Sequence, residues 1–87
     1  MSFIRIHTKN YIILHGFDEQ NKEVEEHVEV EAAMEKLIAV HRIQSISEKY
    51  ILTTYAHNRY IYYEYEEDYT QIIQSLKDKN LLIECVS

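Results

Sequence analysis

Apolar side chains in the first half of the chain follow the period of a strand three times and then the period of a helix. Lys9 and Asn10 interrupt the first strand pattern and predict a turn there. Residues 31–42 carry an apolar stripe at helical spacing and end at Arg42, as the helix dipole favours, which predicts a helix. The predicted strands of this half are residues 3–8, 11–17 and 23–30.

The second half of the chain repeats this order and adds one segment. His57 and Asn58 are suited to a two-residue turn between two strands. Residues 67–79 form a second predicted helix, which acids open, lysines close and Asn80 caps. Residues 81–86 read as a last strand. The predicted strands before the second helix are residues 43–47, 50–56 and 59–66.

The two halves align with each other, which indicates an internal repeat. A shift of 39 residues places Tyr11 on Tyr50, and after four loop residues are removed a shift of 35 places Leu37 on Ile72. The alternative is that both halves merely obey the same periodicities. We predict one α+β domain of order βββα-βββα-β, a mainly antiparallel sheet with two helices. The candidate repeats are residues 3–42 and 43–80.

A shared core should form where both helices cover the sheet. At 87 residues the chain is long enough to fold independently as a single domain. The side chains at the centre of the two helical stripes are predicted to lie in this core. They are Leu37, Ile38, Ile72 and Ile73.

Charge and cysteine content narrow the class of partner and the compartment. The net charge of −6 opposes binding to the phosphates of nucleic acids or to anionic membranes, and it permits a basic protein partner. Cys85 is the only cysteine, so no internal disulfide can form, which favours a reducing compartment. With no apolar run long enough to span a bilayer and no signal-peptide pattern, we expect a cytoplasmic protein without a membrane segment.

Motifs for catalysis, metals and cofactors are missing from the sequence. The five histidines show no metal-ligand spacing, and the chain has no phosphate-binding glycine loop and no nucleophile motif. Cys85 follows Glu84, which disfavours a reactive thiolate. We therefore expect no catalytic residues, no metal, no cofactor and no enzyme activity.

Tyrosine is the strongest compositional signal, with eight residues, five of them between positions 60 and 69. A two-residue turn would pair Tyr55 with Tyr60 and place Tyr62 and Glu64 on the same face, as a protein contact. Two alternatives remain open. The tyrosines could serve only as strand formers, or they could stack on bases, which the surrounding acids disfavour. A register shift of one residue would exchange the faces.

The acidic run of residues 23–31 offers a second candidate contact. Glu25 and Glu29 would lie on one face, where carboxylates could dock in a basic groove. The alternatives are an ordinary solvated face or charges that protect a sheet edge from pairing.

These observations favour a small acidic, non-catalytic protein-binding module, such as a regulator or inhibitor. The residue bias resembles that of AT-rich bacterial or phage genomes, which suggests a prophage or mobile-element origin. The alternative is a structural homo-oligomer, for example a homodimer joined through the tyrosine hairpin or the last strand.

Overall fold

Six antiparallel strands and one helix make up residues 2–81, the part of the chain that the computed structural model describes. This architecture confirms the α+β class and the antiparallel sheet, but not the two-helix order. The strands are β1 (Phe3–Phe17), β2 (Glu23–Val28), β3 (Met34–Ala39), β4 (Ile43–Ile46), β5 (Tyr50–Tyr55) and β6 (Arg59–Tyr65), and the helix is α1 (Tyr69–Asp78).

The long strand β1 organises the sheet. The strand order of the sheet is β2-β1-β6-β5-β4, and β3 pairs with the first half of β1. Thr8 pairs both with Met34 of β3 and with Tyr65 of β6, so these strands lie on opposite sides of β1. The sheet curls, since Lys36 of β3 reaches across to β6, where its Nζ lies 3.4 Å from the hydroxyl oxygen of Tyr63.

The predicted turn at Lys9 and Asn10 is a local irregularity within one continuous strand. The register between β1 and β6 shifts between Thr8 and Tyr11. Even-numbered side chains from Ile4 to Thr8 are buried, whereas odd-numbered side chains face the core after the shift, as shown by Ile13 opposite the buried Ile61. The extra residue thus reverses which side chains β1 turns outward.

The predicted first helix, residues 31–42, is wrong. This segment forms β3, which makes six residue pairs with β1, followed by a short 3-10 turn at Val40–Arg42. Without β3, the first half of β1 would expose unpaired backbone groups, so tertiary pairing overrides the helical pattern. The proposed equivalence of Leu37 with Ile72 is therefore not observed, because Leu37 lies in a strand and Ile72 in α1.

The core lies between the curled sheet and α1. Ile38 and Ile72 are buried as predicted, and Ile73 is half-buried. The prediction for Leu37 is wrong: it is 61% exposed, because alternation along β3 turns it away from its buried neighbour Ile38. The main cluster consists of Ile4, Ile6, Ile38, Ile51, Tyr65, Ile72 and Leu76.

Both ends of α1 follow the sequence signals. The Asp68 side chain accepts a hydrogen bond from the Thr70 backbone N–H at 3.2 Å, as an N-cap does. Asn80 adopts φ 57°, and the backbone N–H of Leu81 donates to the Leu76 carbonyl, which closes the helix as the sequence predicted. The predicted last strand lies outside the described residues, apart from Leu81.

Candidate functional site

The β5–β6 hairpin has a turn of three residues, Ala56–Asn58, where the sequence predicted two. His57 and Asn58 adopt positive φ, and Tyr55 pairs with Arg59. The predicted pair of Tyr55 with Tyr60 is therefore wrong by one position. As a result Tyr55 faces the opposite side of the sheet from Tyr60.

The side of the sheet away from α1 carries a continuous set of apolar and aromatic side chains, which we call the tyrosine face. Tyr62 lies opposite both Ile12 of β1 and Leu52 of β5. Tyr60 lies opposite Leu14, and residues paired directly across strands share a face. The tyrosine face consists of Ile12, Leu14, Tyr50, Leu52, Tyr60 and Tyr62.

No described side chain of α1 covers this face. The buried helix residues Ile72 and Leu76 join Ile51 of β5 in the core, and Ile51 alternates with the outward-facing Leu52. Tyr60 is 42% exposed, and the other five members of the tyrosine face are half-buried. The rings of Tyr50 and Tyr62 pack edge to face with centroids 6.0 Å apart, which fixes them at the surface.

Carboxylates lie at the two ends of the tyrosine face. Glu25 of β2 lies opposite Leu14, and Glu64 of β6 lies opposite Tyr50. Among the described positions paired with the tyrosine face there is no lysine or arginine. The surface thus combines an apolar centre with acidic ends, an arrangement suited to contact with a protein that has basic side chains around an apolar patch.

The structure brings together four of the six residues that the sequence singled out for partner binding. Tyr60, Tyr62, Glu64 and Glu25 share the outward side of the sheet. Tyr55 lies on the other side with its ring 4.6 Å from the guanidinium carbon of Arg59. The remaining residue, Glu29, is exposed just beyond the end of β2.

Sequence reasoning missed the contribution of β1 and of the outward side of β5. Ile12 and Leu14 belong to a mostly apolar run that gives no sign of which side chains face outward. Leu52 faces outward because the extra turn residue reverses the faces of β5 relative to β6. Only the register to β6 identifies these side chains as outward-facing.

Within residues 2–81, no group of three or more His, Cys, Asp or Glu side chains is arranged to hold a metal ion. Histidines instead form isolated pairs with glutamates. His7 Nδ1 lies 2.7 Å from Glu67 Oε2, and His15 Nε2 lies 2.9 Å from Glu26 Oε1. These contacts connect strands and the segment before α1 rather than forming a common site.

Comparison of the chain with family models, with characterised proteins and with solved structures finds no match. Among the described residues, no helix has the length and apolar character needed to cross a membrane.

Proposed function

We propose that the chain is a small, non-catalytic protein-binding module that docks a partner protein on the tyrosine face. The observation that carries this proposal is the continuity of six partly exposed side chains from three strands, on the sheet side opposite α1. Tyrosines bury a large area for little loss of conformational freedom, which is why they are enriched in protein contacts.

Charge supports a protein partner with basic residues at its rim. Glu25 and Glu64 lie at the ends of the tyrosine face, where phosphates of a nucleic acid would be repelled and lysines or arginines attracted. A module of this kind acts by occupying a surface of its partner, so a cytoplasmic regulator or inhibitor is the role we propose.

The alternative is a homo-oligomer joined through the same face. The apolar centre of the tyrosine face would suit self-association. A two-fold contact would, however, bring Glu25 and Glu64 of both copies into one interface. Repulsion between like charges disfavours that arrangement, so we favour a different protein as the partner.

Affinity capture from the native host with matched variants tests the proposal. The bait is the full chain, compared with Tyr60→Ala, Tyr62→Ala and the control Met34→Ala. Met34 is 63% exposed, yet it lies in β3 outside the tyrosine face. We expect one protein to be retained by the parent and the control and lost by both tyrosine variants. Equal retention by all four baits would contradict the proposal, and a self-associating parent without another partner would favour the homo-oligomer.

A further inference from the structure

A cavity of about 180 Å³ lies on the inner side of the curled sheet, between β3 and the β5–β6 pair. It exceeds the roughly 10–15 Å³ that one water molecule needs. It is smaller than the ~300 Å³ at which pockets for drug-sized ligands begin. Four of its lining residues carry polar groups: Lys36, Arg42, Thr53 and Tyr63.

Both cations of this cavity lack a carboxylate partner within residues 2–81. The Lys36 ammonium lies 4.7 Å from the centre of the Tyr63 ring and 3.4 Å from its hydroxyl oxygen. The Arg42 guanidinium donates one hydrogen bond, from Nη2 to the Thr54 carbonyl at 2.7 Å. No aspartate or glutamate lines the cavity, although the chain has 15 acidic residues.

Thr53 provides a second, independent observation. Its hydroxyl makes no hydrogen bond to any described residue. Among the described residues, no fully buried side-chain polar atom lacks a partner, so the Thr53 hydroxyl is open to the cavity rather than sealed in the core. A hydroxyl open to a cavity that also holds two cations is available to donate to a hydrogen-bond acceptor with negative charge.

We propose that this cavity binds a small oxyanion, a carboxylate or a phosphate. Lys36 would supply a point charge, Arg42 a planar pair of donors, and the hydroxyls of Thr53 and Tyr63 additional hydrogen bonds. The proposed site is separate from partner docking, since Thr53 is paired with Ile61 on the core side of the sheet, opposite Tyr62. Failure of anion binding would therefore leave the proposed function untouched, and failure of partner docking would leave the proposed anion site untouched.

Titration with inorganic phosphate and, separately, with acetate tests the proposal on the full chain. Amide chemical shifts are followed by NMR, with sodium chloride at matched ionic strength as the reference. We expect at least one of the two anions to give saturable shifts centred on Lys36, Arg42 and Thr53, and the arm that responds identifies the chemistry. Saturation by neither anion, or shifts equal to those in chloride, would overturn the proposal.

Three variants decide whether the cavity itself is responsible. Thr53→Val keeps the shape and removes the hydroxyl, and Lys36→Met removes the charge and keeps the length. Lys22→Met removes an exposed lysine in the β1–β2 turn as the matched control. Lost hydrogen bonds to a charged ligand should weaken binding about tenfold or more in the cavity variants. Affinity unchanged by both, or lowered equally by the control, would overturn the proposal. Should both cavity variants unfold, the parent alone tests the proposal: shifts centred on Lys36, Arg42 and Thr53 support it, and shifts centred elsewhere overturn it.

Discussion

The rings of Tyr50 and Tyr62 meet edge to face on neighbouring strands, with their planes inclined by 77° and their centroids 6.0 Å apart. This contact fixes two aromatic side chains on the sheet side that α1 leaves uncovered. Because Tyr62 also lies opposite Ile12 and Leu52, the contact is part of a wider apolar surface. The proposed function depends on that surface remaining available to a partner.

Tyrosines on the two sides of β6 should respond differently to substitution. Tyr62→Ala should weaken binding of the captured partner by about 2 kcal/mol or more, as for a central aromatic anchor. Tyr65→Phe should leave binding unchanged and lower the unfolding free energy by about 1 kcal/mol, because the Tyr65 hydroxyl donates to the Ser47 carbonyl in the core. Calorimetric binding and chemical denaturation of both variants check this. If Tyr65→Phe weakened partner binding more than Tyr62→Ala does, the tyrosine face would not be the docking surface.

Leu37 and Ile38 are neighbours in sequence that should differ sharply in their effect on stability. Ile38→Ala should lower the unfolding free energy by about 2–5 kcal/mol, since Ile38 is 6% exposed and packs in the main cluster. Leu37→Ala should lower it by less than about 1 kcal/mol, because Leu37 faces solvent. Urea denaturation measures both. Similar losses for the two variants would contradict the assignment of this segment to a strand.

Two acidic side chains, Glu25 at one end of the tyrosine face and Glu29 just beyond the end of β2, should speed association with a basic partner. Replacing both Glu25 and Glu29 by lysine should slow the association rate and reduce its dependence on salt, while the fold remains stable. Glu48→Lys, in the exposed β4–β5 turn, is the control for a change of charge alone. Surface plasmon resonance at several salt concentrations measures the rates. If Glu48→Lys slows association as much per charge as the double variant does, the net charge of the chain, and not the position of these acids, sets the association rate.

The contact between His7 and Glu67 should make stability depend on pH. The hydrogen bond to Glu67 raises the pKa of His7 above its ordinary value of 6.5. Burial alone would raise the pKa of Glu67, but hydrogen bonds from the His7 backbone and ring lower it below its ordinary 4.5. The His7 contribution is complete below pH 6.5 and is lost as pH rises through the raised pKa. The Glu67 contribution is present above pH 4.5 and is lost as pH falls through the lowered pKa.

His7→Asn tests this linkage by removing the titrating ring and keeping the backbone N–H that donates to Glu67. The parent should lose more stability than this variant between about pH 6 and pH 8. His27→Asn is the matched control, since His27 pairs only with Glu25 of its own strand among the described residues. Thermal melts across this range give the comparison. If the stability of the parent and of His7→Asn changed with pH in parallel, the His7–Glu67 contact would not contribute to the pH dependence of stability.

The sequence predicted the strand boundaries of β4 to β6, the start and end of α1 and the two sides of β6 closely. Local signals explain this success, because capping by Asp68 and alternation from Arg59 to Tyr65 depend only on nearby residues. The hairpin register was not predictable in the same way. One additional turn residue, Ala56, reverses the faces of β5 and moves Tyr55 away from Tyr60.

The first predicted helix failed for a different reason. Met34, Leu37 and Ile38 fall at helical spacing, and residues 34–39 do not alternate between apolar and polar side chains, so the local pattern favours a helix. Pairing with the edge of β1 between Phe3 and Thr8, some thirty residues away in sequence, makes this segment a strand instead. Pairing over that distance cannot be read from a local pattern.

Photo-crosslinking in the native host tests the central claim most directly. A photoreactive benzoyl-phenylalanine replaces Tyr60, Tyr62 or, as the control, the more exposed Met34 of β3. The proposed function predicts that the same partner protein is crosslinked from positions 60 and 62 and not from position 34. Three results would contradict the proposed function. The first is crosslinks of equal yield from all three positions, and the second is the absence of an adduct from position 60 or 62. The third is adducts only with a second copy of the chain.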